Sequence, residues 1–76
     1  QGAHTMQTPK TVLAAINNPN TRYETAGRDQ GQTVYLATAN VAHGKTVYEI
    51  GRIWDRSDNS VEFVWRRAWA NKWIPA

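Results

Sequence analysis

The chain contains no cysteine in its 76 residues. That excludes disulfides and thiolate metal sites, so stability must come from packing or from association with another chain. It says little about compartment, because a cysteine-free chain suits the reducing cytoplasm without excluding secretion. The cytoplasm is the expected location, with a trimmed leader left open. Histidine is nearly as scarce, with His4 and His43 the whole supply. His4 lies in Gln1–Met6, QGAHTM, which reads as a cloning remnant ahead of a start methionine and is set aside from fold reasoning. Residues 7–76 are then expected to form one small domain.

Other absences narrow the chemistry. No apolar run approaches the ~20 residues of a membrane span, so no membrane partner is expected. There is no GxxxxGK[ST] loop and no GxGxxG, and Gly27 and Gly31 in GRDQG could meet a phosphate only by accident of conformation. His43 precedes Gly44 in a turn-like stretch, where a solvated side chain is the natural reading. The acids are scattered, and no pairing of strands brings two carboxylates into one pocket. The sequence therefore points to a non-enzyme, with no catalytic residue, no metal site and no cofactor.

What is present is aromatic and basic. Up to Phe63, the bases Lys10, Arg22, Arg28, Lys45, Arg52 and Arg56 are matched by the acids Glu24, Asp29, Glu49, Asp55, Asp58 and Glu62. The excess of +3 is thus carried by Arg66, Arg67 and Lys72, interleaved with Trp65, Trp69 and Trp73.

Local patterns place these residues on elements. Thr8-Pro9 opens a helix, with Thr8 as N-cap and Val12, Leu13 and Ile16 on one face, and Asn17-Asn18-Pro19 closes it. The segments TRYETA, TVYLATANVA, KTVYEIGRIW and VEFVWRRAW read as strands separated by GRDQGQ, His43-Gly44 and Ser57–Ser60. The expected fold is α+β, one N-terminal helix packed on a four-stranded antiparallel β-meander. The last strand runs to about Trp69, and Ile74 before Pro75 favours an extended tail.

Two-residue turns at His43-Gly44 and Asp58-Asn59 would set Tyr35 opposite Arg52 and Arg52 opposite Trp65. One face would then carry Tyr35, Arg52, Trp54, Phe63, Trp65 and Arg67. The other is aliphatic, with a gap at Gly51, and is expected to receive the helix. This register sets Asp55 against Glu62, an unfavourable pair that a longer turn would relieve.

The aromatic-arginine face has three possible coverings. In the first it binds a protein partner, a second copy included, because Trp, Tyr and Arg dominate interface hot spots. In the second it binds single-stranded nucleic acid, with bases stacked on its rings and Arg66, Arg67 and Lys72 meeting phosphates. In the third the C-terminal tail folds back and docks Trp69 and Trp73. The expected function is a non-catalytic interaction module, with Tyr35, Arg52, Trp54, Phe63, Trp65, Arg67 and Trp69 as binding residues and Arg66 and Lys72 as basic contacts. A homo-oligomer is expected ahead of nucleic acid.

Overall fold

A computed structural model of the chain describes residues 7–25 and 33–76. The GRDQG stretch with Gly27 and Gly31, and Gln1–Met6 with His4, lie outside the described residues. One helix, α1 (Lys10–Asn17), precedes strands β1 (Glu24–Thr25), β2 (Val34–His43), β3 (Thr46–Asp55), β4 (Ser60–Arg67) and β5 (Ile74–Pro75). The strands form one antiparallel sheet in the order β1-β2-β3-β4-β5. The α+β meander is as expected, with five strands where the sequence suggested four. The fifth comes from the tail, where Ile74 pairs with Trp65 and the Ala76 amide donates to the Phe63 carbonyl at 3.0 Å. Pro75 is tolerated there because it sits on an edge strand.

The helix starts one residue later than its sequence signal. Pro9 occupies the N-cap, and no side chain caps the first turn. Thr8, the expected cap, instead accepts a hydrogen bond from Trp65 Nε1 at 3.1 Å. At the other end Asn18 turns extended and its amide donates to the Ala15 carbonyl, which also accepts from Thr21 Oγ1 at 2.6 Å. The residues packed on the sheet are Val12, Ala15 and Ile16. Leu13, expected beside them, is 41% exposed.

Both hairpin turns differ from the expected ones by a local backbone requirement. Gly44, with φ +61°, takes the first central position of a Gly44-Lys45 turn, where a positive φ suits glycine. The β3–β4 turn is longer, Arg56–Asn59, and ends on Asn59 at φ +61°. Asp55 Oδ1 accepts from the Ser57 amide at 2.9 Å and Asp58 Oδ1 from the Ser60 amide at 3.0 Å, so the two acids build the turn. Asp55 then faces Ser60 and Glu62 faces Ile53, which removes the opposition of acids.

Each change moves the pairing by an even number of residues. The two faces therefore keep the residues assigned to them, while the neighbours across strands change. Tyr35 faces Trp54, Arg52 faces Ala37 and Phe63, and Ile50 faces Ala39 and Trp65.

The helix lies on the aromatic face, not on the aliphatic one. Val12, Ile50 and Trp65 form the core, flanked by Tyr23, Val41, Tyr48, Phe63 and Ile74. The row Ala39–Ile50–Trp65 explains the choice, because small Ala39 leaves room for α1 while the indole offers a large apolar area to bury. The expected gap at Gly51, on the opposite face, is filled by Leu36, Val64 and Trp73. No described helix is long and apolar enough to cross a membrane.

Candidate functional site

The position of α1 divides the expected binding residues into those it covers and those beyond its reach. Trp65 is 2% exposed, so it is a core residue and presents no surface to a partner. Its ring meets Tyr48 edge-on at 5.8 Å between centroids. Phe63 is half-buried against the same core and tilts toward Tyr23 at 6.2 Å. The expected sandwich of Arg52 between Tyr35 and Trp65 does not form. Arg52 is half-buried between Ala37 and Phe63, close enough to Tyr23 for its charge to act on that phenol. Burial pushes the Tyr23 pKa up and Arg52 partly opposes the shift.

Beyond the helix, at the end of the sheet nearest the β3–β4 turn, Tyr35 and Trp54 stack on one another. Their centroids are 5.5 Å apart and their planes 28° apart. Direct opposition on neighbouring strands brings the rings together, and polar contacts at both rings hold them. Trp54 Nε1 donates to Asn59 Oδ1 at 2.9 Å, and Arg56 Nη1 donates to the Tyr35 hydroxyl at 3.4 Å. Both rings remain half-exposed. Val61, paired with Trp54, is 42% exposed, and Val34, on the other face of the same end, is 48% exposed.

The basic candidates do not join this stack. Arg66 lies on the opposite face, where its Nε donates to Glu49 Oε1 at 2.8 Å and its guanidinium sits 4.1 Å above the Trp73 ring. Arg67 is exposed beside Tyr48, and Lys72 is exposed in the segment leading to Trp73. Trp69 is 70% exposed in the turn after β4. The third covering is not the one adopted: Trp73 docks on the aliphatic face at Gly51, not on the aromatic face, and Trp69 stays in solvent.

Sequence reasoning missed Arg56, Asn59 and Val61, which frame the aromatic stack. The available signal was the D-R-S-D-N-S run, whose two Asx-type acids and positive-φ asparagine specify a four-residue turn and so return Asn59 to Trp54. The carboxylates here have structural tasks. Hydrogen bonds from the Ser60 side chain and amide hold the Asp58 pKa below the ordinary carboxylate value. Among the described residues no three of His, Asp and Glu gather closely enough to hold a metal ion.

Comparison of the chain with protein-family models, curated proteins and solved structures returned no match.

Proposed function

We propose that the chain is a non-catalytic interaction module that associates with protein, a second copy of itself in the first instance, through the Tyr35–Trp54 end of the sheet. The observation that carries this reading is the stacked, half-exposed pair with its polar groups already bonded. A partner can bury these rings without stranding the indole N–H or the phenol. The rings are also held before contact, which lowers the entropic cost of docking. Val61 extends the apolar contact, while Arg56 and Asn59 supply a polar rim.

The thin core favours association. Among the described residues only Val12, Ala39, Ile50, Val64 and Trp65 are buried hydrophobics, so further burial brings a small domain a proportionate gain. A two-fold contact would set the stack of one copy against that of the other. Nucleic acid suits this end less well. Mutual stacking uses one face of each ring, and Asp55 and Asp58 in the adjoining turn accompany Arg52 and Arg56.

Light scattering on the full chain across a dilution series tests the reading. A dimer at high concentration that dissociates on dilution is expected, and Trp54→Ala should give a folded monomer. A wild-type chain that stays monomeric throughout would rule out self-association. A dimer indifferent to Trp54→Ala would move the interface elsewhere.

A further inference from the structure

The charge excess is concentrated in space as well as in sequence, at the end of the sheet opposite the Tyr35–Trp54 stack. Lys45 occupies the tip of the β2–β3 turn. The Ala68 amide donates to the Val47 carbonyl at 3.0 Å, which brings the turn carrying Trp69 alongside the start of β3. Arg67 faces Tyr48 in the same region, and Lys72 precedes Trp73, the ring beneath Arg66. Lys10 joins them from α1, because the Oγ1 of its neighbour Thr11 lies 3.1 Å from His43 Nδ1.

Lys10, Lys45, Arg66, Arg67 and Lys72 therefore share one end of the molecule with a single described acid, Glu49, which is bonded to Arg66. Toward the other end Arg52 and Arg56 are outnumbered by Asp55, Asp58 and Glu62. Lys10 and Lys45, which the linear sequence balances against distant acids, belong in space to the basic end. Trp69 stands in this field with 70% of its surface exposed, and among the described residues it stacks on no other ring.

We infer that this basic end is a second binding surface, for single-stranded nucleic acid, with an unpaired base stacked on Trp69 and phosphates met by Lys45, Arg67 and Lys72. The inference is independent of the protein contact at the opposite end. A cationic surface selects a polyanion, and a free indole face selects one with flat, unpaired groups. In a duplex each base is already stacked on its neighbours, so Trp69 would have nothing to receive. An anionic lipid surface also attracts cations and tryptophan, but insertion needs a larger apolar area. Trp69 is flanked here by Ala68 and Ala70, which add little.

The test is fluorescence anisotropy of a labelled oligodeoxythymidylate of about 12 nucleotides, titrated with the full chain at several salt concentrations. Binding is expected at low salt. Trp69→Ala should weaken it about tenfold while Trp69→Phe largely preserves it. Arg67→Gln and Lys72→Gln should each flatten the plot of log affinity against log salt by about 0.7. Near-ultraviolet circular dichroism confirms that the variants stay folded. Three results would overturn the inference: no binding at low salt, binding indifferent to Trp69→Ala, or equal affinity for a duplex of the same length. Trp69-dependent binding to phosphatidylserine vesicles with none to the oligonucleotide would assign the surface to lipid instead.

Discussion

Ile50 lies directly opposite Trp65 on neighbouring strands, and Val12 of α1 packs against both. This contact anchors the only described helix to the sheet, and it decides which aromatic residues are structural. Trp65 bonds Thr8 at its indole nitrogen, so the segment entering the helix is held to the same ring. The core and the helix position thus share one side chain.

Replacing that side chain should be severe. Trp65→Ala removes a buried ring and leaves a cavity under α1, a change that costs about 3–5 kcal/mol in comparable cores. Small domains have roughly 5–15 kcal/mol in total. Urea unfolding should show Trp65→Ala with a much lower midpoint or no folded baseline, whereas Trp69→Ala should fall within about 0.5 kcal/mol of wild type. Equal effects of the two would contradict the burial that separates them.

Much of this fold could be read from the sequence, and the errors were of a particular kind. The alternation along β2, β3 and β4 assigned residues to faces correctly, because period-two patterning survives any even shift in register. The shifts themselves came from φ requirements at Gly44 and Asn59, which depend on positions within the turn rather than on composition. The side that receives the helix was misjudged because like was matched with like. The governing factor was the space above Ala39 and the area of Trp65, a property of three strands together. The Tyr35–Trp54 stack was legible only as a set of aromatics on one face, since its pairing needed the correct turn. The gathering of Lys10 and Lys45 with Arg67 and Lys72 needed the folded chain.

Gly51 provides a sharper test of packing on the aliphatic face. A Cβ there would lie 2.8 Å from Val64 Cγ2, 3.1 Å from Leu36 Cδ1 and 3.3 Å from the Trp73 ring. Gly51→Ala should therefore destabilise the chain by about 1–3 kcal/mol through overpacking, despite the better strand propensity of alanine. Gly51→Val should also displace Trp73, which acrylamide quenching of tryptophan fluorescence would detect. A stabilised Gly51→Ala variant would mean that the tail ring is not seated at this position.

Tyr23 links burial to alkaline stability. Its hydroxyl is buried and has no hydrogen-bond partner among the described residues, and burial raises its pKa. The folded chain therefore holds the phenolic proton more tightly than the unfolded chain. The resulting stability is fully present below about pH 10 and is lost as pH rises through the raised folded value. Tyr23→Phe should abolish this alkaline pH dependence and stabilise the chain by about 1 kcal/mol near neutrality, since it deletes an unsatisfied buried group. Urea unfolding at about pH 8 and about pH 11 measures both effects. A Tyr23→Phe variant less stable than wild type at neutral pH would show that the hydroxyl has a partner.

Arg66 is the link between β4 and the tail, and its two contacts should respond differently to salt. The ion pair with Glu49, at 2.8 Å, joins side chains that retain 26% and 21% of their exposure. Its coupling energy should be no more than about 1 kcal/mol and should shrink as salt screens it. The contact with Trp73, at 4.1 Å to the ring centroid, excludes water from one side of the guanidinium and should contribute about 0.5–2 kcal/mol. Double-mutant cycles with Arg66→Met against Glu49→Gln, and against Trp73→Leu, separate the two in low and high salt. The expected result is a Trp73 coupling that outlasts the Glu49 coupling as salt increases. Because Trp73 leads directly into β5, loss of its coupling should also speed proteolysis of the C-terminal segment. If the Trp73 cycle gave no coupling at any salt concentration, the pairing of Ile74 with Trp65 would have to hold the tail without help from Arg66.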